Sequence, residues 1–409
     1  MDTRKNIFLW VSYDFANSIV SIVFFLYFSQ WIVVDQSVAD IWYNLSFTIT
    51  AVLLLLTVPV TGTLLDKHWR RIVGLRYTTV SAGVLLGLCA LAAVNNHSFL
   101  ALVLYAVGLF FYLLSFTFYT PLIKDIANAS RQGKVSGYGI FANYIGQITG
   151  LLAVLPFAIG KINLFGGMTR AETLLPAVAL FMIFSLPMLV WFKEPGKESS
   201  TPAYIKEVKH SWKEAKVLFA LPGLLPFFAA YFFFNDAVLT VANNFSIFLQ
   251  QVWSVPDTIK TYILIGVLIT SAIGGLISGV IADRVGHKRT LVWILTGWIF
   301  ILPAVALIPD FNMFIMAVTL LGLWFGSTWT VSRSVMSYLA PANKHNLTFA
   351  YFGLVERASA FIGPIVWGAI ATGFVALGPA RYRLAATILT IFIVVGLVYL
   401  KRIPSDRKD

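Results

Sequence analysis

Long apolar stretches recur along the whole chain and are separated by short polar breaks. A run of about 20 apolar residues is enough for a helix to cross the hydrocarbon core of a bilayer. The pattern therefore predicts twelve membrane-spanning helices. Their approximate ranges are 7–34, 41–65, 72–94, 98–126, 134–160, 171–192, 219–253, 258–282, 289–308, 311–339, 346–374 and 380–400.

An all-α fold follows because the bilayer interior cannot satisfy the open edge of a sheet. A membrane barrel would instead show alternating segments of about ten residues, and the sequence contains no such alternation. Composition agrees: 58% of the residues are hydrophobic and 12% are charged, too few charges to cover a soluble domain. The first apolar stretch, 7–34, is longer than a signal peptide and is interpreted as an uncleaved helix.

The net charge of +12 comes from basic residues that gather in alternate breaks between the spans. These breaks are Lys67 to Arg71, Arg131 to Lys134, Lys193 to Lys216, Arg284 to Arg289, Lys344 and the tail from Lys401. Counted from the amino end, every basic break falls on one side of the membrane, which the positive-inside rule assigns to the cytoplasm. The charge therefore sets topology and does not indicate a nucleic-acid partner. Both termini are predicted to be cytoplasmic.

The long polar stretch from Glu194 to Lys216 divides the chain near its middle. We expect two six-helix bundles, residues 1–193 and 219–409, joined by a linker of residues 194–218. Aromatic and aliphatic residues recur at helical spacing in the linker, which fits an amphipathic helix on the inner membrane surface. A flexible linker is the alternative.

One motif occurs at the same place in both halves, at the end of the second span and at the end of the eighth. A glycine precedes an aspartate by four positions, and arginines follow. The residues are Gly62, Asp66, Arg70 and Arg71 in the first half and Gly279, Asp283, Arg284 and Arg289 in the second. Glycine lets helices approach closely, and the aspartate can cap a helix or pair with an arginine. We expect these loops to hold a gate closed in one state of a secondary transporter, whose halves are typically duplicated.

Charged residues inside the spans are few, and each costs roughly 2.5–3.5 kcal/mol on insertion scales. They are Asp14, Lys124, Asp125, Asp236, Arg333, Glu356 and Arg357. Asp14 and Asp236 lie on the first helices of the two halves and are candidates for taking up and releasing a proton. Lys124 and Arg333 could hold a carboxylate or phosphate of a substrate. Because the charges nearly cancel, ion pairs that latch helices together remain the alternative.

Uncharged polar residues within the spans complete the candidate binding and coupling site. They are Asn17, Tyr119, Asn143, Tyr144, Gln147, Asn235, Asn243 and Asn244. Asn143 and Gln147 are four residues apart and therefore lie on one helical face. Each residue singly is also explained by a hydrogen bond between helices.

Several classes of function are not indicated. Cys89 is the one cysteine, and the five histidines have no metal-ligand spacing, so neither a disulfide nor a metal site is expected. The sequence has no phosphate-cradling loop and no nucleophile–base arrangement. We therefore expect neither an enzyme nor a bound cofactor.

The span count, the duplication and the central loop resemble the major facilitator superfamily. The segment Tyr13-Asp-Phe-Ala-Asn-Ser18 resembles the start of the first span in the group related to the fungal vacuolar amino-acid effluxer of autophagy. Further segments that resemble this group are Gly133 to Gly139 with Asn143 to Gly146, Ser332 to Ser334, Leu339 to Pro341, Phe352-Gly353 and Gly363-Pro364. The resemblance implies amino-acid efflux. Short loops are typical of a bacterial inner-membrane protein.

We therefore expect a monomeric secondary transporter that moves a small polar solute by alternating access, coupled to protons. An exporter or flippase of amphipathic drugs or lipids is the rival, which the 34 phenylalanines favour slightly. A membrane sensor or scaffold without transport is a third hypothesis. Decay of the gating motif in one half would favour that hypothesis, and both copies are intact.

Overall fold

The computed structural model of this chain describes residues 3–67, 70–127, 129–194, 218–341 and 345–405, without the side chains of residues 3, 59–67, 129–133, 345 and 346. Within those ranges it is helical and contains no strand. Twelve helices are long and apolar enough to cross a membrane, which confirms the predicted fold class. The amphipathic helix expected in the linker lies outside the described residues.

We number the spans in chain order. They are α1 Arg4–Asp35, α2 Asp40–Lys67, α3 Arg71–Val94, α4 Ser98–Ile126, α5 Ala129–Ala158, α6 Thr169–Trp191, α7 Leu224–Trp253, α8 Asp257–Val285, α9 His287–Leu307, α10 Phe311–Leu339, α11 Leu347–Gly373 and α12 Ala380–Lys401. Such a span is stable in lipid because its backbone N–H and C=O groups form hydrogen bonds within the helix. The observed bounds follow the apolar stretches closely.

The contacts divide the chain into two compact units. The first comprises Met1–Val38 and Leu53–Ser211, and the second comprises Ala39–Val52 and Trp212–Asp409. The division passes through α2, which is one continuous helix. We call residues 40–52 the α2 strap, because this part of an amino-terminal helix packs within the second unit.

The spans α1 and α11 are among those that depart from regular α geometry. In α1, Phe24–Phe28 and Trp31–Asp35 are π-helical. In α11, the α-helix ends at Ala358 and resumes at Gly363. Such irregularities in a helix often mark functional positions. The predicted span 346–374 did not include the second interruption. Pro364, in the first turn of the resumed helix where proline is favoured, is the residue that could have indicated it.

Glycines allow α8 and α10 to pack with their backbones in contact. A Cβ atom at Gly274 would overlap the Leu323 backbone, and one at Gly326 would overlap the Ser271 carbonyl oxygen. At Gly279 of the repeated motif, a Cβ would instead meet the Thr330 Cγ2 at 3.7 Å, an ordinary contact. The close approach expected at Gly279 is therefore made by Gly274 and Gly326.

This difference predicts unequal effects of two alanine substitutions. Gly326→Ala forces α8 and α10 apart, and overpacking of this kind typically costs about 1–3 kcal/mol. Gly279→Ala, the matched control, gains helix propensity without a clash. In detergent, we expect the purified Gly326→Ala protein to have a clearly lower apparent melting temperature than Gly279→Ala. Equal melting temperatures for the two variants would contradict the close contact.

Candidate functional site

An ion pair in the second unit joins α10 to α11. The Arg333 Nη2 lies 3.6 Å from the Glu356 Oε1, and the two side chains are 46% and 26% exposed. Arg357, next along α11, donates from its Nη1 to the Gly353 carbonyl oxygen at 3.2 Å. Two guanidinium groups and one carboxylate leave this cluster with a net positive charge. It can therefore bind an anionic group while Glu356 accepts from a donor or a cation.

Tyr231 of α7 forms one wall of this cluster. Its side chain is fully buried, and its ring packs against the ring of Phe352 with centroids 4.5 Å apart. The Tyr231 hydroxyl lies beside the Glu356 carboxylate and within the electrostatic reach of Arg333 and Arg357. Tyr231 therefore belongs to the candidate site. The sequence gave no signal for it, because it is one aromatic residue within an aromatic stretch.

Asn235 connects the same three helices. Its amide nitrogen donates to the Glu356 carbonyl oxygen at 3.1 Å and to the Ser359 hydroxyl at 2.6 Å. Its amide oxygen accepts from the Trp329 Nε1 at 3.0 Å. Both the amide nitrogen and the amide oxygen of Asn235 thus bond to protein groups of α10 and α11. Asn235 fixes the backbone that carries Glu356, and its geometry is that of a support for the site.

Asp236 caps the resumed part of α11. Its carboxylate is fully buried and accepts from the backbone N–H groups of Phe361, Ile362 and Gly363 at 3.2, 3.0 and 2.8 Å. Negative charge is stabilised at a helix N-terminus, where the N–H groups have no partner within the helix. Asp236 thus joins α7 to α11 through backbone N–H groups, which differs from the ion pair between helices that the sequence offered as an alternative.

The α2 strap is held to α7 by a pair of amides. The side chains of Asn44 and Asn244 exchange two hydrogen bonds, at 3.0 and 2.8 Å. Beside them, the Tyr43 hydroxyl donates to the Asn243 carbonyl oxygen at 3.2 Å. Asn243 and Asn244 are among the predicted site residues and Asn44 is not, although an asparagine within an apolar span is a usable signal.

Two further polar contacts hold the strap within the second unit. Thr48 donates to the Phe361 carbonyl oxygen at 2.8 Å, inside the break of α11. The Tyr382 hydroxyl of α12 donates to the Asp40 Oδ2 at 3.1 Å. The strap therefore contacts α7, α11 and α12 through side chains that are each buried.

In the first unit, Asp14 lies partly buried on the face of α1 that packs against α5. A Cβ at Gly139 of α5 would come within 2.6 Å of the Asp14 Oδ2. The Tyr119 hydroxyl lies beside the Asp14 carboxylate and donates to the Trp10 carbonyl oxygen at 2.8 Å. The Tyr119 ring stacks on Trp10 with centroids 4.8 Å apart. Asp14 and Tyr119 are thus brought together.

The other predicted residues of the first unit occupy separate places. Asn17 is fully buried, and its side chain lies beside the Tyr13 hydroxyl. The Gln147 amide nitrogen donates to the Asn143 Oδ1 at 2.6 Å, as their shared helical face predicts. Tyr144 is half-buried on the same helix. One hydrogen bond thereby joins the side chains of Asn143 and Gln147.

The charged residues at the C-terminal end of α4 make contacts of their own. The Lys124 side chain is exposed, and Asp125 pairs with Arg71 at 3.4 Å. Of the repeated motif, the side chains of Gly62 and Asp66 lie outside the described residues, and Arg70 is exposed. In the second copy Asp283, Arg284 and Arg289 are exposed, and the Arg289 guanidinium lies over the Trp293 ring. Within the described ranges, no group of three metal-ligating side chains forms.

Comparison with known protein families identifies the family of this chain. Residues 122–409, more than half of its length, match the family described as vacuole effluxer Atg22 like. The chain belongs to this Atg22-like family. The finding confirms the resemblance drawn from the sequence motifs, and the matched region contains the ion pair of α10 and α11.

Relatives of this Atg22-like protein are distant in sequence. A multi-drug resistance efflux pump PmrA homolog of Lactococcus lactis subsp. lactis is 22% identical, over 97% of this chain and 94% of that protein. Autophagy-related protein 22 of Pichia angusta is 26% identical over 40% of this chain and 31% of that protein. That of Yarrowia lipolytica is 21% identical over 70% of this chain and 53% of that protein. The chain thus spans about half or less of these fungal relatives.

Solved structures show the same fold. A bacterial homolog to the human lysosomal transporter Spinster superposes with a TM-score of 0.76 and 14% identity, with complete coverage of both chains. The nucleoside transporter NupG gives a TM-score of 0.70 and 12% identity over 98% of this chain and 99% of that chain. The Atg22-like chain therefore has the major facilitator fold, with twelve candidate membrane spans among its described residues.

Proposed function

We propose that this protein is a secondary transporter that moves a small zwitterionic solute of the α-amino acid class by alternating access. The observation that carries the proposal is the cluster of Arg333, Glu356 and Arg357 beside the buried Tyr231 hydroxyl. Opposite charges a few ångströms apart complement a solute that carries both a carboxylate and an ammonium group. The family description, vacuole effluxer Atg22 like, supports efflux of a solute, and the resemblance of the sequence motifs implies that the solute is an amino acid.

The proposal assigns different work to the two units. Arg333 and Arg357 bind the solute carboxylate, because a guanidinium matches its planar geometry, and Glu356 binds the ammonium. Asp14 takes up and releases the proton that drives the cycle, as a partly buried carboxylate with a tyrosine hydroxyl beside it can do. Asn17, Lys124, Asn143, Tyr144 and Gln147 belong to the proposed solute path. The basic loops support cytoplasmic termini and an inner-membrane location.

Export of amphipathic drugs is the second candidate function. An apolar depression in the first unit is lined by Phe24, Phe25, Leu86, Tyr105 and Leu109. Its volume is about 20 Å³, so it would have to widen to admit such a compound. The relative named as a multi-drug efflux pump homolog covers nearly the whole chain and favours the same candidate.

Thermal stabilisation of the purified protein separates the two candidates, because a ligand that binds the folded state raises the apparent melting temperature. We expect at least one α-amino acid to raise it and Arg333→Gln to lower the affinity for that amino acid at least about tenfold. Arg402→Gln, an exposed arginine outside the cluster, is the matched control and retains the shift.

Two results would contradict the amino-acid proposal. A shift that persists unchanged in Arg333→Gln would remove the cluster from binding. A shift obtained with cationic drugs alone, and abolished by a polar substitution at Phe24, would establish the second candidate instead.

A further inference from the structure

The break in α11 separates two parts of one span that make different contacts. Glu356 lies in the last turn before the break, where it pairs with Arg333. The half-helix after the break, Gly363–Gly373, packs against the α2 strap. There, a Cβ at Gly368 would lie 2.7 Å from the Ile41 Cα, and the Ile41 N–H donates to the Thr372 hydroxyl at 3.2 Å. The break thus stands between the ion pair and the strap.

Two consecutive residues of α7 hold the two sides of this break. Asn235 binds the end of the first part, through the Glu356 carbonyl oxygen and the Ser359 hydroxyl. Asp236 binds the start of the second part, through three backbone N–H groups. Because the two side chains leave one helix at adjacent positions, neither part of α11 can shift without moving or breaking a hydrogen bond to α7.

The Asp236 carboxylate is closely packed against the start of the resumed helix. A Cβ at Gly363 would come within 2.8 Å of the Asp236 Oδ1 and would overlap the Thr240 hydroxyl. The break also receives a bond from the strap itself, since Thr48 donates to the Phe361 carbonyl oxygen. A buried, closely packed junction of this kind has a few discrete arrangements and does not deform continuously.

We propose that Asn235, Asp236 and Thr48 are positioning residues through which the break in α11 couples the Arg333–Glu356 ion pair to the α2 strap. A change at the ion pair moves the end of the first half-helix, and the α7 residues and Thr48 pass this displacement to the strap. The coupling rests on the proposed function for its use in transport, but it exists in the protein without any solute and is testable there.

The test measures how often the strap leaves its place. Ser46 lies in the strap and is 2% exposed. In a Cys89→Ala parent, Ser46→Cys is the one thiol, and a maleimide labels it only when the strap opens. We expect Glu356→Gln, which removes the charge that pairs with Arg333, to change the labelling rate of the membrane-embedded protein at least about threefold.

A double-mutant cycle then decides whether the break transmits this effect. In an Asp236→Asn background we expect the effect of Glu356→Gln to fall below about 1.5-fold, because coupled residues are not additive. Glu172→Gln is the matched control: the Glu172 carboxylate of the first unit is also buried and also accepts three backbone N–H groups, from Leu164, Phe165 and Gly167. In that background the full effect of Glu356→Gln remains.

A second variant keeps the test decisive if Asp236→Asn does not fold. Thr48→Val preserves side-chain volume closely and removes only the bond to Phe361, and it is expected to reduce the same effect. Full additivity of Glu356→Gln with both Asp236→Asn and Thr48→Val would overturn the proposal. So would a labelling rate that does not respond to Glu356→Gln in the parent. No solute is added, so failure here is distinguishable from failure of the proposed amino-acid transport.

Discussion

Asp14→Asn is expected to abolish solute transport driven by a pH gradient and to leave the folded protein intact. Asparagine has nearly the same volume as aspartate, so the packing of α1 against Gly139 of α5 is retained. It cannot ionise, so a cycle that requires loading and release of a proton at this position stops. Carboxylates within spans are expensive and are commonly retained for such a role.

The measurement uses protein reconstituted in liposomes with an imposed pH gradient. Uphill accumulation or extrusion of the solute should be lost, whereas exchange of labelled for unlabelled solute at equal pH should continue. Asp310→Asn is the matched control. Asp310 caps α10 by accepting from the Met313 N–H at 2.8 Å, and asparagine caps a helix equally well. Unimpaired gradient-driven transport by Asp14→Asn would remove Asp14 from proton coupling.

Covalent linkage of the α2 strap to α7 is expected to stop transport altogether. The strap packs within the second unit, while the rest of the same helix belongs to the first. Alternating access requires the two halves of a transporter to move relative to each other. One continuous helix cannot keep both sets of contacts through that movement. Under the proposed alternating access, we therefore expect the hydrogen-bonded amides of Asn44 and Asn244 to separate in each cycle.

The experiment places cysteines at both asparagines in the Cys89→Ala parent and joins them with a short bifunctional thiol reagent. Transport in liposomes should fall at least about tenfold after linkage and recover on reduction. Binding of the solute, measured by thermal stabilisation, should persist. Each single-cysteine variant treated with the same reagent serves as the control. Full transport by the linked protein would show that the strap stays on α7 throughout the cycle.

The candidate site shows how much of a residue's role can be predicted from its type and position in the sequence when its contacts are unknown. Asp14 and Asp236 occur at similar places in the two halves, and the sequence analysis gave them the same role. The structure gives them different surroundings: Asp14 is partly buried beside Tyr119, and Asp236 is enclosed by three N–H groups of α11. The partners of a buried charge come from other helices, so the sequence of one span does not reveal them.

Arg333 and Glu356 illustrate the opposite case. Both were identified because a charged side chain within a span is costly and must have a partner or a use. The sequence also offered ion pairs as one explanation of these charges, and the structure brings these two within 3.6 Å. The identity of the pair still required the packing of α10 against α11, since the seven charges inside the spans could be paired in several ways.

The sequence by itself determined the class of this protein, its twelve spans and its family. It could do so because a helix in lipid satisfies its own backbone hydrogen bonds, so a span is defined by length and hydrophobicity alone. Tertiary structure decided which polar side chains meet. It also decided that the first part of α2 packs within the second unit, and that Asn235 and Asp236 bond to the two sides of the break in α11. Those features depend on contacts between residues up to 342 positions apart in the chain, which no local pattern specifies.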